Sequence, residues 1–243
     1  MKCYKQKKLT IEIPGCKPSR EIREEWKKKT VMLAFSCGKD SVAAWLALRE
    51  AEIEVIPFYC QTIPGMSFID RALEYYEGFF GKHIIRVQHP RLYRMLNNFV
   101  FQPPERCWTI EACRLPEFTY EEIVGWMRED FAKPNTWLAT GVRCADSILR
   151  RMHFKRHGSI VESTNTIYPV WDLTREAMRE LLGRHKVRLP ADYDLFGKSF
   201  DGLDFRFVNQ IQKHYPADYA KIQEWFPLID LELKRYEYGQ KNS

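Results

Sequence analysis

A chain of 243 residues, 45% hydrophobic and 14% aromatic, can bury a substantial core, which excludes a disordered or fibrous protein and is most simply one domain with additions. No run of about 18 apolar residues offers a bilayer span and the lysine-rich start lacks the apolar centre of a secretory signal, so no membrane partner and a cytoplasmic location are expected. The formal net charge of +6 is local: ten of the 38 Lys and Arg fall in residues 1–30 against four carboxylates, and the remainder is balanced.

Residues 1–30 read as a basic, solvated and partly helical lead-in, with Ile22 and Trp26 on one face as a hook to the core. The same charge is what a nucleic acid or another polyanion would meet. Val31 to Phe35 is the first buried strand. A polar corner follows, Ser36-Cys37-Gly38-Lys39-Asp40-Ser41, and then a helix with Val42, Trp45 and Leu46 at core spacing. Glu54 to Cys60 is the second strand, followed by a helix with Phe68, Ile69, Leu73 and Tyr76 on one side. His83 to Gln88 is the third strand. A longer excursion holds a Pro103-Pro104 corner and a helix over Tyr120 to Phe131.

Thr136 to Gly141 is the fourth strand, and Thr166 to Thr174 a fifth that enters a helix capped by Thr174. Tyr193 to Phe205, glycine-containing and aromatic, reads as an ordered loop, and Phe205 to Tyr238 as a helical cap broken near Pro216 and Pro227. Strands alternating with helical patterns predict an α/β fold: a Rossmann-like, mostly parallel five-stranded sheet flanked by helices, with a helical C-terminal extension. The expected division is a lead-in over 1–30, a nucleotide-binding α/β domain over 31–190, and a loop and helical cap over 191–243.

Seven cysteines, an odd and scattered set, predict reduced thiols rather than a disulfide framework. No C-x-x-C occurs, so neither a zinc ribbon nor a dithiol redox pair has its usual support. Cys107 and Cys113 are expected as buried, inert thiols, with a sulfur-handling role as the alternative. His153 and His157 share a helix face after a string of basic residues and are expected near phosphate or solvent.

The corner carries the sharpest chemistry. A strand running through a glycine-bearing turn into a helix makes an anion site, because the first backbone N–H groups of the helix point outward without internal partners. Gly38 allows close approach, Ser36 and Ser41 can donate hydroxyl hydrogen bonds, and Lys39 supplies charge. Asp40 suits such a site as a cap or as a holder of Mg²⁺ against phosphates.

The corner matches neither G-x-x-x-x-G-K-[ST] nor G-x-G-x-x-G. It resembles the S-G-G-K-D-S loop of the PP-loop ATP pyrophosphatase superfamily, with Cys37 in place of the first glycine. Gly141-x-Arg143-x-x-Asp146-Ser147-x-x-Arg150 resembles the G-x-R-x-x-E-S-x-x-R element of the phosphoadenosine phosphosulfate (PAPS) reductase family within it, with Asp in place of Glu. Gln61 and Thr62 stand where that family has an Asp-Thr pair at the adenine and ribose, and Tyr168 to Gly197 resembles its later segment.

The resemblance spans roughly 31–202 and implies a HUP-type, adenine nucleotide alpha hydrolase-like sheet. It places Ser36, Cys37, Gly38, Lys39, Asp40, Ser41, Gln61, Thr62, Gly141, Asp146 and Ser147 around ATP or PAPS, Mg²⁺ on Asp40, and Lys39, Arg143 and Arg150 at the reaction. The reductases of the family use a cysteine in a C-terminal E-C-G-(L/I)-H element, and here no cysteine follows Cys144. A thiolate is indispensable to that chemistry, so the expected activity is attack on the ATP α-phosphate by an unspecified acceptor with release of pyrophosphate. Sulfur metabolism and nucleic-acid thiolation are the expected settings, without an iron–sulfur cluster. The alternatives are a sulfonucleotide reductase with a displaced thiol at Cys107, Cys113 or Cys144, and a non-catalytic nucleotide or nucleic-acid binding module. A homodimer is compatible with the sequence.

Overall fold

The computed structural model describes residues 9–241. Its centre is strand β1 (Thr30–Ala34), whose apolar run Val31, Met32 and Leu33 is fully buried, as a parallel strand covered on both faces requires. β1 pairs in parallel with β2 (Glu54–Gln61), from Thr30 opposite Glu54 to Ala34 opposite Phe58. On its other side it pairs in parallel with β4 (Trp137–Thr140), from Val31 opposite Trp137 to Ala34 opposite Thr140. With β3 (Ile85–Gln88), β5 (Ile160–Val161) and β6 (Thr166–Ile167), the strands follow the order β3-β2-β1-β4-β6-β5. β6 lies parallel to β4, and β5 runs antiparallel to β6.

The sheet thus has six strands rather than the five expected, and it is mixed at one edge. The predicted fifth strand contracts to Thr166–Ile167. Pro169 brings no N–H to a ladder, and backbone bonds from Trp171 to Tyr168 and from Leu173 to Val170 turn the chain instead. β5 is two residues long, too short to carry a periodic signal.

By compactness the described residues fall into two units. One takes the residues up to Tyr59, His83–Ile85 and Val124–Leu189; the other takes Cys60–Lys82, Arg86–Ile123 and the residues from Pro190 on. Residues 60–82 and 86–123, expected within a domain over 31–190, therefore cluster with the C-terminal helices.

In the first unit, helix α1 (Ser19–Trp26) buries Ile22 completely and Trp26 to 8% exposure, the hook its spacing predicts. Residues 1–8 of the lead-in, with Cys3, lie outside the described residues. The segment ahead of α1 is stitched to the strip after β6: Ile11 N–H donates to the Asp172 carbonyl at 2.7 Å, and Thr174 N–H to that of Leu9 at 3.0 Å. The Asp172 carboxylate, 3% exposed, accepts from Ser19 N–H at 3.0 Å and so places a negative charge at the N-terminus of α1. Helix α2 (Lys39–Glu50) is buried continuously from Ser41 to Leu48, and α8 (Arg175–Arg184), capped by Thr174 Oγ1, packs on it.

The second unit is helical, with α3 (Ser67–Phe80), α4 (Pro90–Asn97), α5 (Pro104–Cys113), α9 (Ala191–Phe196), α10 (Phe205–His214), α11 (Pro216–Trp225) and α12 (Asp230–Lys241). Its core gathers Phe207, Ile211, Ile222 and Phe226. Buried Asp218 caps α3, accepting from Ser67 N–H at 3.0 Å and Ser67 Oγ at 2.8 Å. The breaks at Pro216 and Pro227 fall between helices as expected. The stretch expected as loop, Tyr193 to Phe205, instead begins inside α9, because Pro190 opens a helical turn and Gly197, at φ +71°, closes it.

α6 (Tyr120–Phe131) has its predicted bounds, and α7 (Ile148–His157) follows β4. Among the described residues no helix is long and apolar enough to cross a membrane. Removing the Asp172 carboxylate leaves the Ser19 N–H without its acceptor; Asp172→Ala is expected to cost about 1–3 kcal/mol, read as a lowered urea midpoint, whereas an unchanged midpoint shows that α1 is held by its apolar face alone.

Candidate functional site

The strand order reverses direction between β1 and β4, and in open α/β sheets the crevice beyond the carboxyl ends of strands at such a switch point is where ligands bind. The two loops that leave these ends carry the two motifs singled out in the sequence. Both lie in the first unit.

The first loop is wound by its serines. Ser36 N–H donates to Ser41 Oγ at 3.2 Å, Ser41 Oγ donates to the Gly38 carbonyl at 2.9 Å, and Gly38 N–H reaches Ser36 Oγ at 3.4 Å. The tight corner this produces puts Cys37 at φ +57°, in the left-handed region where glycine is free and a side chain is strained. Cys37 is 1% exposed. Gly38 is the N-cap of α2 and brings no capping side chain of its own. The first turn of α2 carries the partial positive charge that an anion recognises.

The second loop comes close because Gly141 has no side chain. A Cβ there would sit 2.6 Å from the Asp40 carbonyl carbon and oxygen and 2.7 Å from Ser41 N, so the chain leaving β4 presses on the first turn of α2. Two residues on, Arg143 is buried at 2% exposure and spends its fork on the protein. Nε donates to Asp40 Oδ1 at 2.7 Å, Nη2 to Asp146 Oδ1 at 2.5 Å, and Nη1 to the Leu173 carbonyl at 3.1 Å. Asp40 Oδ2 accepts from Lys39 Nζ at 2.6 Å, and Asp146 Oδ2 from Arg150 Nη1 at 2.6 Å.

The result is a chain of alternating charge, Lys39, Asp40, Arg143, Asp146, Arg150, running across both loops with one cation in excess. Exposure grades along it: the Arg143 side chain is at 3%, while Lys39 is at 33% and Arg150 at 45%. Arg143 is thus built to hold the two loops together, and Lys39 and Arg150 stand at the solvent side. Ser147 caps α7, its Oγ accepting from Arg150 N–H at 3.1 Å, which anchors the backbone that carries Arg150.

The Leu173 carbonyl, and the Trp171 carbonyl that accepts from Cys144 N–H at 2.8 Å, back the second loop. Sequence reasoning missed both, since a carbonyl contribution has no residue-type signature. Gln61 and Thr62 belong to the other unit, where the Gln61 carbonyl accepts from His89 N–H at 2.8 Å and Gln88 Nε2 at 2.6 Å, and Thr62 is buried.

Among the described residues no group of three or more His, Cys, Asp or Glu could hold a metal ion. Each oxygen of Asp40 already faces a cation, Arg143 or Lys39, so this carboxylate as arranged does not fit a protein-held Mg²⁺. The thiols also separate by environment. Cys144 is buried and desolvation pushes its pKa up, away from the thiolate that nucleophilic attack requires. Burial pushes Cys60 up to about 12. Cys107 and Cys113 lie in the second unit, in α5; contrary to the expectation of buried thiols, Cys113 is exposed and Cys107 half-buried, because α5 buries none of its residues. His153 bonds Tyr168 Oη at 3.1 Å and lies 4.9 Å, centroid to centroid, from His157, and partial burial lowers its pKa.

No protein-family model matches the chain, and among curated proteins none matches it significantly.

Gly141→Ala forces a methyl into backbone that cannot yield by side-chain rotation. The variant is expected to lose roughly 1–3 kcal/mol, measured by urea unfolding; wild-type stability would show that the two loops are not pressed together.

Proposed function

We propose that this chain is a cytoplasmic PP-loop enzyme of the PAPS reductase family, with a HUP-type nucleotide-binding sheet. It binds ATP at the switch point and catalyses attack of an acceptor on the α-phosphate. The acceptor oxygen forms a bond to the α-phosphorus, the bond from that phosphorus to the β-bridging oxygen breaks, pyrophosphate leaves, and any acceptor proton passes to solvent. Such chemistry needs positioning and charge stabilisation more than a nucleophilic side chain.

One observation carries the reading: the two motif-bearing loops meet at the carboxyl ends of β1 and β4, with Gly141 against the first turn of α2 and Arg143 tied to Asp40. In this reading the N-terminus of α2 and Lys39 hold the phosphates, and Ser36, Gly38 and Ser41 set the loop. Arg150 meets the charge that develops as pyrophosphate departs. Arg143 is a positioning residue. Lys39 can leave Asp40 for a phosphate by exchanging one charge-assisted hydrogen bond for another, while Asp40 stays paired with Arg143.

Calorimetry of ATP, AMP and PAPS against the full chain tests the proposal. ATP is expected to bind, with Lys39→Ala weakening it about 10- to 100-fold, the worth of one charged hydrogen bond. Pyrophosphate release is then expected once a competent acceptor is added. Tight PAPS binding without ATP binding overturns the proposal in favour of sulfonucleotide reduction.

A further inference from the structure

Helix α7 begins directly after the capping Ser147 of the candidate site and carries Arg150, Arg151, Lys155 and Arg156 with no acidic residue among its ten. It is also inverted in its apolar character. Phe154 is buried, packing on Tyr168 and Trp171, whereas Ile148 and Leu149 are 78% exposed and Met152 is 52% exposed. At about 100° per residue, Ile148, Leu149, Met152 and Arg156 lie on the face opposite Phe154, Lys155 sits at its flank, and Arg151, also exposed, lies nearer the Phe154 side. Three large apolar side chains therefore point to solvent beside exposed cations of the same helix, an arrangement that the core does not use and that marks a contact surface.

Deepening the reading above and resting on it, we propose that α7 is the docking track for the acceptor, and that the acceptor is a nucleic acid. The cations suit a phosphate backbone, which supplies charge at regular spacing along the length of a helix. Ile, Leu and Met are the side chains that wedge between base steps or pack on a splayed base. A strand lying along α7 toward its N-terminus reaches Ser147 and Arg150, at the site where the α-phosphate is attacked. The described part of the lead-in is a poorer candidate for this role: residues 9–30 carry six cations but four carboxylates, and Lys17 is already paired with Glu25.

The test measures anisotropy of fluorescein-labelled 15-nucleotide single-stranded RNA, single-stranded DNA and duplex DNA over a salt series, alongside ATP calorimetry. At least one oligonucleotide is expected to bind, the pattern among the three naming the kind of acceptor. Arg151→Glu/Lys155→Glu/Arg156→Glu is expected to weaken binding at least tenfold and flatten its salt dependence. Ile148→Ser/Leu149→Ser/Met152→Ser is expected to weaken it with the salt slope unchanged. Both sets lie outside the ATP site, so ATP affinity should stay at the wild-type value.

Failure of every oligonucleotide to bind while ATP still binds overturns this inference and leaves the ATP reading intact; loss of ATP binding in the wild type overturns both. Oligonucleotide binding that neither variant weakens also overturns it. If the apolar variant instead abolishes binding to phosphatidylserine vesicles or dissociates a dimer, with no effect on oligonucleotides, α7 is a membrane or self-association surface and the inference fails.

Discussion

The site depends on one ion pair, Arg143 to Asp40. It joins residues 103 positions apart, one from the turn after β1 and one from the turn after β4, and its guanidinium is almost wholly withdrawn from water. A buried charge stays buried only when its partners are in place, since breaking such a pair strands the other charge at a cost of about 3–5 kcal/mol. Arg143 meets that condition three ways, through Asp40, Asp146 and the Leu173 carbonyl. The two loops are therefore held as one surface.

That constraint explains features that look unrelated along the chain. Gly141 has to lack a side chain because the ion pair draws the second loop onto the backbone of Asp40 and Ser41. Cys37 accepts a left-handed backbone because the serine bonds on either side close the corner around it, and strain of about 1–2 kcal/mol persists when neighbours over-determine a conformation. Asp146 divides its oxygens between Arg143 inside and Arg150 outside, so the interior network sets the position of a cation that faces solvent. In this way the fixed inner pair holds the outer cations in place without burying them.

The sequence made much of this readable. β1, β2 and β4 announce themselves as apolar runs, α6 by its 3.6-residue spacing, and the corner at residues 36–41 by its glycine and polar side chains between strand and helix. The meeting of the two motifs at one end of the sheet follows from the order of β1 and β4, which alternation alone could only suggest. What was not readable depends on fine local geometry. β5 is too short for periodicity, and the arrest of the strand after Ile167 turns on Pro169 and local turn bonds. The burial of Arg143 depends on a carbonyl at Leu173. The grouping of residues 60–82 and 86–123 with the C-terminal helices reflects contacts of high sequence separation, which no window along the chain contains. The solvent exposure of Ile148, Leu149 and Met152 has no residue-type signature, because the same helix also has Phe154 to bury.

The central claim is that Asp40 and Arg143 act as a unit that fixes both loops, and a double-mutant cycle on unfolding free energy tests it most directly, using Asp40→Asn, Arg143→Gln and the pair. The account predicts a coupling of about 1.5–3 kcal/mol between the two changes. Single effects that add to within about 0.5 kcal/mol, the behaviour of independent sites, would contradict it.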